Sequence, residues 1–372
     1  MVRFPSDVDR CEQLLAPDGS YDEAAVEALD LDAETLRGMY ESMVAARALD
    51  ERGTTLQRQG EFHFWMGCRG LEAAHVGPAA ALAERDWLNT EWRQYGAHIQ
   101  RGRPLVDILL FWLRGYETWE ADDVDAMPAH ERRLPHIVAV GTQVPQTVGL
   151  VWGRKLQGHD EVGLVAVGDG GASTGDFHAG LNFAGVFDVP VVFLVLNNQW
   201  AISTPVDRQT AADTYADRSA GYGFEGVLVD GNDPLATYEA TRQAVDRARE
   251  TGEPALVEAL TYRRTAHSSS DDDARYRDEA DVEPWRDRDP LDRFETFLAD
   301  RDLWDPEYGE TVRERADERA SEAADRALAI AEEQSPEEVF DEVFANPPGY
   351  VDDQREKLLA LVEEHGEEAF RW

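Results

Sequence analysis

Apolar residues fall at two different spacings along this chain, and the change of spacing divides it. From Asp32 they recur three and four apart, at Leu36, Met39, Tyr40, Met43 and Val44, with Asp32 placed as an N-cap. That pattern predicts a helix with one buried face. Residues 1–31 are polar and acidic, broken by Pro and Gly, and read as an arm rather than core. Residues 57–68 carry Phe62, Phe64, Trp65 and Met66 without helical spacing, so a loop or short strand is expected. Helices are predicted over 71–83 and 105–113, and the charged, irregular stretch 116–134 reads as a surface connection.

Between Gly163 and Arg263 the pattern turns regular. Strands are predicted over 163–168, 189–196, 224–230 and 254–262, with helices over 176–186 and 235–250. Strands apolar on both faces and alternating with helices imply a parallel sheet covered on both sides. The expected class is therefore a doubly wound α/β fold, which binds ligands beyond the carboxyl ends of its strands. After Asp271 the chain is charged and loop-like to Pro290, and helices follow from Leu291, over 308–334 and over 352–366. The expected division is an arm (1–31), an α/β domain (32–335) and a helical extension (336–372).

Composition narrows the partners. With 42% hydrophobic and 9% aromatic residues the chain can bury a substantial core. A net charge of -39 repels phosphate backbones and argues against nucleic acid. Only Lys155 and Lys357 are lysines among the 36 basic residues, and the acidic residues run along the whole chain. This resembles cytoplasmic proteins of extreme halophiles and points to a haloarchaeal source. In molar salt the screening length falls to about 3 Å, which relieves like-charge repulsion. Cys11 and Cys68 form no CxxC, so neither a disulfide framework nor a zinc site is indicated. Residues 1–10 lack the apolar core of a signal peptide, and no uncharged apolar run reaches the ~18 residues a membrane helix needs. A soluble, cytoplasmic protein is expected.

The chemistry lies at two predicted strand ends, Gly168-Asp169-Gly170-Gly171 and Asn197-Asn198. Asp169 and Asn198 are 29 residues apart, the length of a strand end, a helix and a strand, so both should project from one rim of the sheet. Magnesium takes near-octahedral oxygen ligands, typically one or two carboxylates plus phosphates. A carboxylate, an amide oxygen and a backbone carbonyl supply three, and a diphosphate supplies others. Gly168, Gly170 and Gly171 let backbone approach a bulky anion, and the following helix offers N-terminal N–H groups. Each element alone is commonly just a turn; their joint spacing is what carries the signal.

Two rival patterns share these residues. Gly168-x-Gly170-x-x-Ser173 nearly matches a dinucleotide fingerprint, but Ser replaces the third Gly and no acidic residue ends the next strand. Gly171-Ala-Ser173-Thr-Gly175 fits a serine hydrolase elbow with Asp230 and His267 following in order, but four residues separate Ser173 from the strand.

Taken with Gly-Asp-Phe-His-Ala-Gly-Leu-Asn-Phe-Ala (175–184), Asn-Asn-Gln-Trp-Ala-Ile-Ser-Thr-Pro (197–205), Val-Asp-Gly-Asn-Asp (229–233), Thr-Tyr-Arg (261–263), His267-Ser-Ser-Ser-Asp-Asp272 and Tyr276-Arg277, these strand ends complete a set. From about Arg47 onward the chain resembles the alpha subunit of the thiamine diphosphate-dependent decarboxylase component of 2-oxo acid dehydrogenase complexes, nearest the branched-chain type. The resemblance implies magnesium on Asp169, Asn198 and the Trp200 carbonyl, where the family usually has Tyr. It implies Arg93 and Arg263 on the diphosphate, with Trp92 in place of a Tyr beside Arg93. Val138 and Val140 would border the cofactor, Phe64 the substrate pocket, and Thr142 and Gln143 a potassium ion. His267 would be the catalytic His, exchanging protons with the cofactor-bound intermediate and the arriving lipoyl group. The implied reaction decarboxylates a branched-chain 2-oxo acid or pyruvate and passes the acyl group to lipoyl-lysine of the acyltransferase component.

Residues 268–273 are expected to form a mobile loop, since charged, Ser-rich segments seldom pack alone. Leu196 stands where branched-chain relatives put an Arg on the diphosphate, Val138 where they put Ser, and Gln199 where they put Gly. These departures leave open a subunit that keeps the fold but binds cofactor poorly. The glutamate that activates the cofactor would come from a beta subunit, so two alpha and two beta chains are expected to form the active unit.

Overall fold

In the computed structural model, described over residues 10–114, 124–136, 139–333, 335–340 and 344–366, the chain forms α1 (Glu23–Glu27), α2 (Ala33–Gln59), α3 (Glu72–Ala80), β1 (Trp87–Asn89), α4 (Tyr95–Gln100), α5 (Leu105–Arg114), α6 (Gln143–Leu156), β2 (Gly163–Gly168), α7 (Gly175–Phe187) and β3 (Val191–Asn197). There follow β4 (Trp200–Ala201), β5 (Thr204–Pro205), β6 (Glu225–Asp230), α8 (Pro234–Thr251), β7 (Ala255–Leu260), α9 (Glu279–Arg286), α10 (Pro290–Asp300), α11 (Pro306–Glu332) and α12 (Gly349–His365). Five strands form one parallel sheet in the order β1-β2-β3-β7-β6, and β4 and β5 make a separate antiparallel hairpin.

Alternation along the central strands explains the layering. Leu164, Ala166, Val192, Leu194 and Leu196 share one core with Ala74 of α3 and Ala240, Ala244 and Ala248 of α8. Their neighbours Val165, Val167, Val191, Phe193 and Val195 share another core with Val144, Val148 and Val151 of α6 and Phe177 and Leu181 of α7. Each strand is thus apolar on both faces because each face carries a helical layer. Leu196 belongs to the first of these cores, 2% exposed.

Helix ends follow local chemistry. Asp32 accepts from Thr35 N at 2.8 Å to start α2, and Gly60 at φ 91° ends it. Asp233 accepts from Leu235 N and Ala236 N to start α8. Its other carboxylate oxygen takes Leu14 N at 2.7 Å and Leu15 N at 2.6 Å.

That contact corrects one expectation. The polar, acidic pattern of 1–31 predicts an arm outside the core, yet within the described part of it Leu15, Val26 and Leu29 are buried with Leu36, Met39 and Phe294. Glu12 bonds backbone to backbone with Leu228 and Asp230. Isolated apolar residues in an acidic stretch show no periodicity, although each fills a specific gap. The α2 helix is buried against α10 and α11 along the face the spacing predicts. Strand β1 and helices α4, α6 and α9 were not anticipated; β1 is only three residues long and flanked by charge. Among the described residues no helix is long and apolar enough to cross a membrane.

Candidate functional site

Register places the predicted residues together. Gly168 pairs with Leu196 and Asn197 with Leu260, so Asp169, Asn198 and the segment after β7 leave the sheet side by side. The ladder continues past the strands, with Thr261 N donating to Asn197 O at 2.9 Å and Arg263 N to Asn198 O at 3.2 Å. The buried Glu258 of β7 accepts from Asn197 Nδ2 at 2.6 Å and Ala216 N at 2.9 Å, which fixes the strand end.

The turn after β2 needs its glycines. A Cβ on Gly170 would stand 2.8 Å from Ala201 Cβ, and one on Gly171 would stand 2.6 Å from Glu91 Oε1. Glu91 braces that turn, accepting from Gly168 N at 3.0 Å and from Gln143 Nε2 at 3.4 Å. Burial pushes its carboxyl up to about 7, with Asp169 adding to the rise and Gly168, Gln143 and Arg93 opposing it. Burial likewise pushes Asp169 up to about 6 against the bond from Gln209. Two carboxylates held near each other in a dry site favour a cation.

Opposite them sits a cluster of positive charge. Arg93 donates to the carbonyls of Gly67 and His267, the latter at 2.7 Å. Arg263 donates to Trp200 O at 3.2 Å, Ile202 O at 2.8 Å, Thr265 O at 3.2 Å and Tyr276 Oη at 2.9 Å. Both guanidinium groups lie 3.4 Å from His267 Nδ1. Guanidinium only donates, so Nδ1 must accept and the ring proton sits on Nε2. Burial, then Arg93 and Arg263, lowers His267 to about 4, and burial with Arg93 lowers Arg263 to about 10. His267 is therefore neutral at pH 7. Two buried guanidinium groups this close, one depressing the other, have the chemistry to hold a multiply charged anion.

The remaining residues flank this centre. Phe64 lies 6.1 Å from the Trp92 ring and 5.4 Å from Trp112, in an aromatic wall that includes Phe111. Val140 is 49% exposed beside Gly171, an open apolar surface. Val138 lies outside the described residues. Thr142 precedes α6, and Gln143 donates to Ala166 O at 3.3 Å. The loop 268–273 is tied down rather than free. Ser269 N donates to Trp65 O at 2.9 Å and Trp65 N to Ser269 Oγ at 2.8 Å, while Asp271 accepts from His267 N at 2.9 Å and from the Tyr276 hydroxyl.

Sequence reading missed Gln209 and Tyr215, which hold Asp169, because neither belongs to a recognisable motif. The hydrolase pattern is not assembled. Ser173 Oγ donates to Asp169 O at 3.4 Å, and Asp230 is committed to Arg293 at 2.9 Å and Gln13 at 3.0 Å.

Comparison with known proteins decides the family. The model of the dehydrogenase E1 component matches residues 40–336. The chain belongs to that family. It is 42% identical over 348 residues to the 3-methyl-2-oxobutanoate dehydrogenase subunit alpha of Mycobacterium tuberculosis, covering 94% of this chain and 93% of that one. It is 37% identical over 329 residues to the 2-oxoisovalerate dehydrogenase subunit alpha of Bacillus subtilis, covering 86% and 98%. It is 38% identical over 313 residues to the pyruvate dehydrogenase E1 component subunit alpha of Bacillus cereus, covering 84% and 82%. Within this E1 chain, residues 40–336 take in the sheet and every residue of the site described above.

Proposed function

We propose that this chain is the alpha subunit of a 2-oxo acid dehydrogenase. It would bind magnesium and thiamine diphosphate, decarboxylate a branched-chain 2-oxo acid or pyruvate, and deliver the acyl group to lipoyl-lysine of an acyltransferase component. The observation that carries this reading is the convergence of Arg93, Arg263 and His267 on the rim that also holds Asp169 and Asn198.

The residues fit the group. The carboxylate of Asp169, the amide oxygen of Asn198 and the carbonyl of Trp200 would hold magnesium, a hard-cation set of three oxygens. Arg93 and Arg263 would bind the diphosphate by charge-assisted hydrogen bonds. Thiamine diphosphate, when bound, supplies the carbanion chemistry. Nδ1 of His267 faces the two guanidinium groups, which leaves its Nε2 to hold or release a proton at the reacting centre. Phe64 and Val140 would present apolar surface that excludes water. Thr142 and Gln143 belong to the same proposal as a potassium site. The active unit would be two alpha and two beta chains, with a beta glutamate completing the site. The charge of -39 favours a halophilic cytoplasm.

The test is co-expression with the beta partner in molar salt, followed by carbon dioxide release from a panel of 2-oxo acids and calorimetric titration of thiamine diphosphate with and without magnesium. Magnesium-dependent binding and turnover of 3-methyl-2-oxobutanoate or pyruvate are expected, with the alpha chain alone inactive. His267→Ala should bind cofactor and lose lipoyl acylation. Absence of cofactor binding would favour a subunit that only supports its partner, the alternative raised by Leu196.

A further inference from the structure

Gln209 lies just beyond the β4–β5 hairpin and belongs to none of the motifs above. Its Nε2 donates to Asp169 Oδ2 at 2.6 Å and to Thr204 O at 3.0 Å. Thr204 is paired with Ala201 in the hairpin that begins at Trp200. At the other end of the amide, Gln209 Oε1 lies 3.3 Å from the hydroxyl of buried Tyr215. The same hydroxyl is 3.3 Å from the Asp169 carbonyl. Val206 N donates to Gln199 O at 3.0 Å and closes the segment back on the hairpin. One side chain thus bridges two separate pieces of backbone, the turn carrying Asp169 and the hairpin carrying the Trp200 carbonyl. The amide proton occupies one lone pair of Oδ2 and helps to fix the carboxylate's orientation.

We infer that Gln209, backed by Tyr215, is a positioning residue that sets the spacing and orientation of Asp169 relative to the Trp200 carbonyl, and thereby the affinity for the divalent cation. This rests on the magnesium reading given under Proposed function. Magnesium demands near-ideal octahedral geometry at short distances, so small errors of ligand spacing weaken it. Partners that orient metal ligands typically contribute about 10–100-fold in metal affinity.

The test uses the co-expressed alpha–beta complex with thiamine diphosphate, titrated with magnesium chloride by calorimetry and by turnover. Gln209→Met, which keeps length and removes the amide, should raise the half-saturating magnesium concentration by about 10–100-fold. The rate at saturating magnesium and the thermal midpoint of the metal-free complex should stay at wild-type values, a split that a general structural defect does not give. Tyr215→Phe should shift the titration the same way by a smaller factor, and it decides the question if Gln209→Met does not assemble. An unmoved magnesium titration in an assembled variant overturns the inference, as does a loss of rate that saturating magnesium fails to restore. A wild-type complex that binds no magnesium with the cofactor overturns this inference together with the reading beneath it, so the two failures are told apart.

Discussion

The two ends of the sheet handle charge in opposite ways. At the amino ends of the strands the buried carboxylates Glu161 and Asp86 meet opposite charge. Glu161 accepts from Arg154 at 2.6 and 2.7 Å, from Arg132 at 3.2 Å and from Trp87 Nε1 at 2.8 Å. Asp86 receives both Arg249 guanidinium nitrogens, at 2.7 and 3.0 Å. At the carboxyl ends like meets like: Arg93 beside Arg263, and Glu91 near Asp169. Among the described residues pairing there is incomplete, and the groups shift away from their ordinary protonation ranges. Breaking a pair in the first arrangement would destabilise the fold, whereas the second has the electrostatic form that suits an anion and a cation. The same contrast disposes of a tempting cluster. Asp125, His159 and Glu161 could by spacing hold a metal, but Arg154 already sits among them.

The largest test of this contrast is Glu161→Gln. It should leave Arg132 without its carboxylate and Arg154 with only the exposed Asp125, and cost about 3–5 kcal/mol of stability, as breaking a buried pair does. Chemical denaturation measures it, and cofactor affinity should hardly change. Arg93→Gln should do the reverse. It relieves repulsion with Arg263, so stability should fall by clearly less than for Glu161→Gln. Loss of a charged bond to the diphosphate should weaken cofactor binding by about 10–150-fold, equivalent to about 1.5–3 kcal/mol.

A third, smaller effect concerns His267. Burial and the two arginines hold it at about 4, below the usual 6.5. The folded state therefore keeps it neutral while the unfolded chain protonates below the usual value. Its contribution to stability is present at pH 7 and is lost as pH falls from the usual range toward about 4. Binding an anion beside the arginines favours the charged ring, so cofactor should raise its titration midpoint; NMR of the ring with and without cofactor reads this. Arg93→Gln should raise it without cofactor, and an unmoved midpoint would break the like-charge account. Smallest of all, Asp125→Asn should leave the thermal midpoint at the wild-type value, because Asp125 is exposed and Glu161 retains Arg154.

Much of the site was legible because its residues are fixed to strand ends. Asp169 and Asn198 follow directly from two apolar runs, and the interval between them gives the shared rim. Arg93 and His267 became visible only through resemblance, since neither has a periodic neighbour to place it. Gln209 and Tyr215 had no signal at all: they act on Asp169 from 40 and 46 residues away. Glu91 stood in plain sight beside Arg93, but only the fold brings it under Gly168 and Gly171. Likewise, a run of serines and aspartates reads as solvated, whereas Ser269 and Asp271 are fastened by backbone groups that no local pattern announces.

By itself, then, the sequence determined the parallel sheet, its helical layers and the pair of strand ends on which the chemistry sits. Those depend on hydrophobic periodicity and on turn residues, which act within a few positions. Tertiary structure alone decided which charges are paired and which are left in conflict. It set the neutral form of His267, the docking of Leu15 on Asp233 and the bridge from Gln209 to Asp169. Electrostatic and hydrogen-bonded contacts reach across hundreds of residues of chain, and their strength depends on burial, which exists only once the layers have closed.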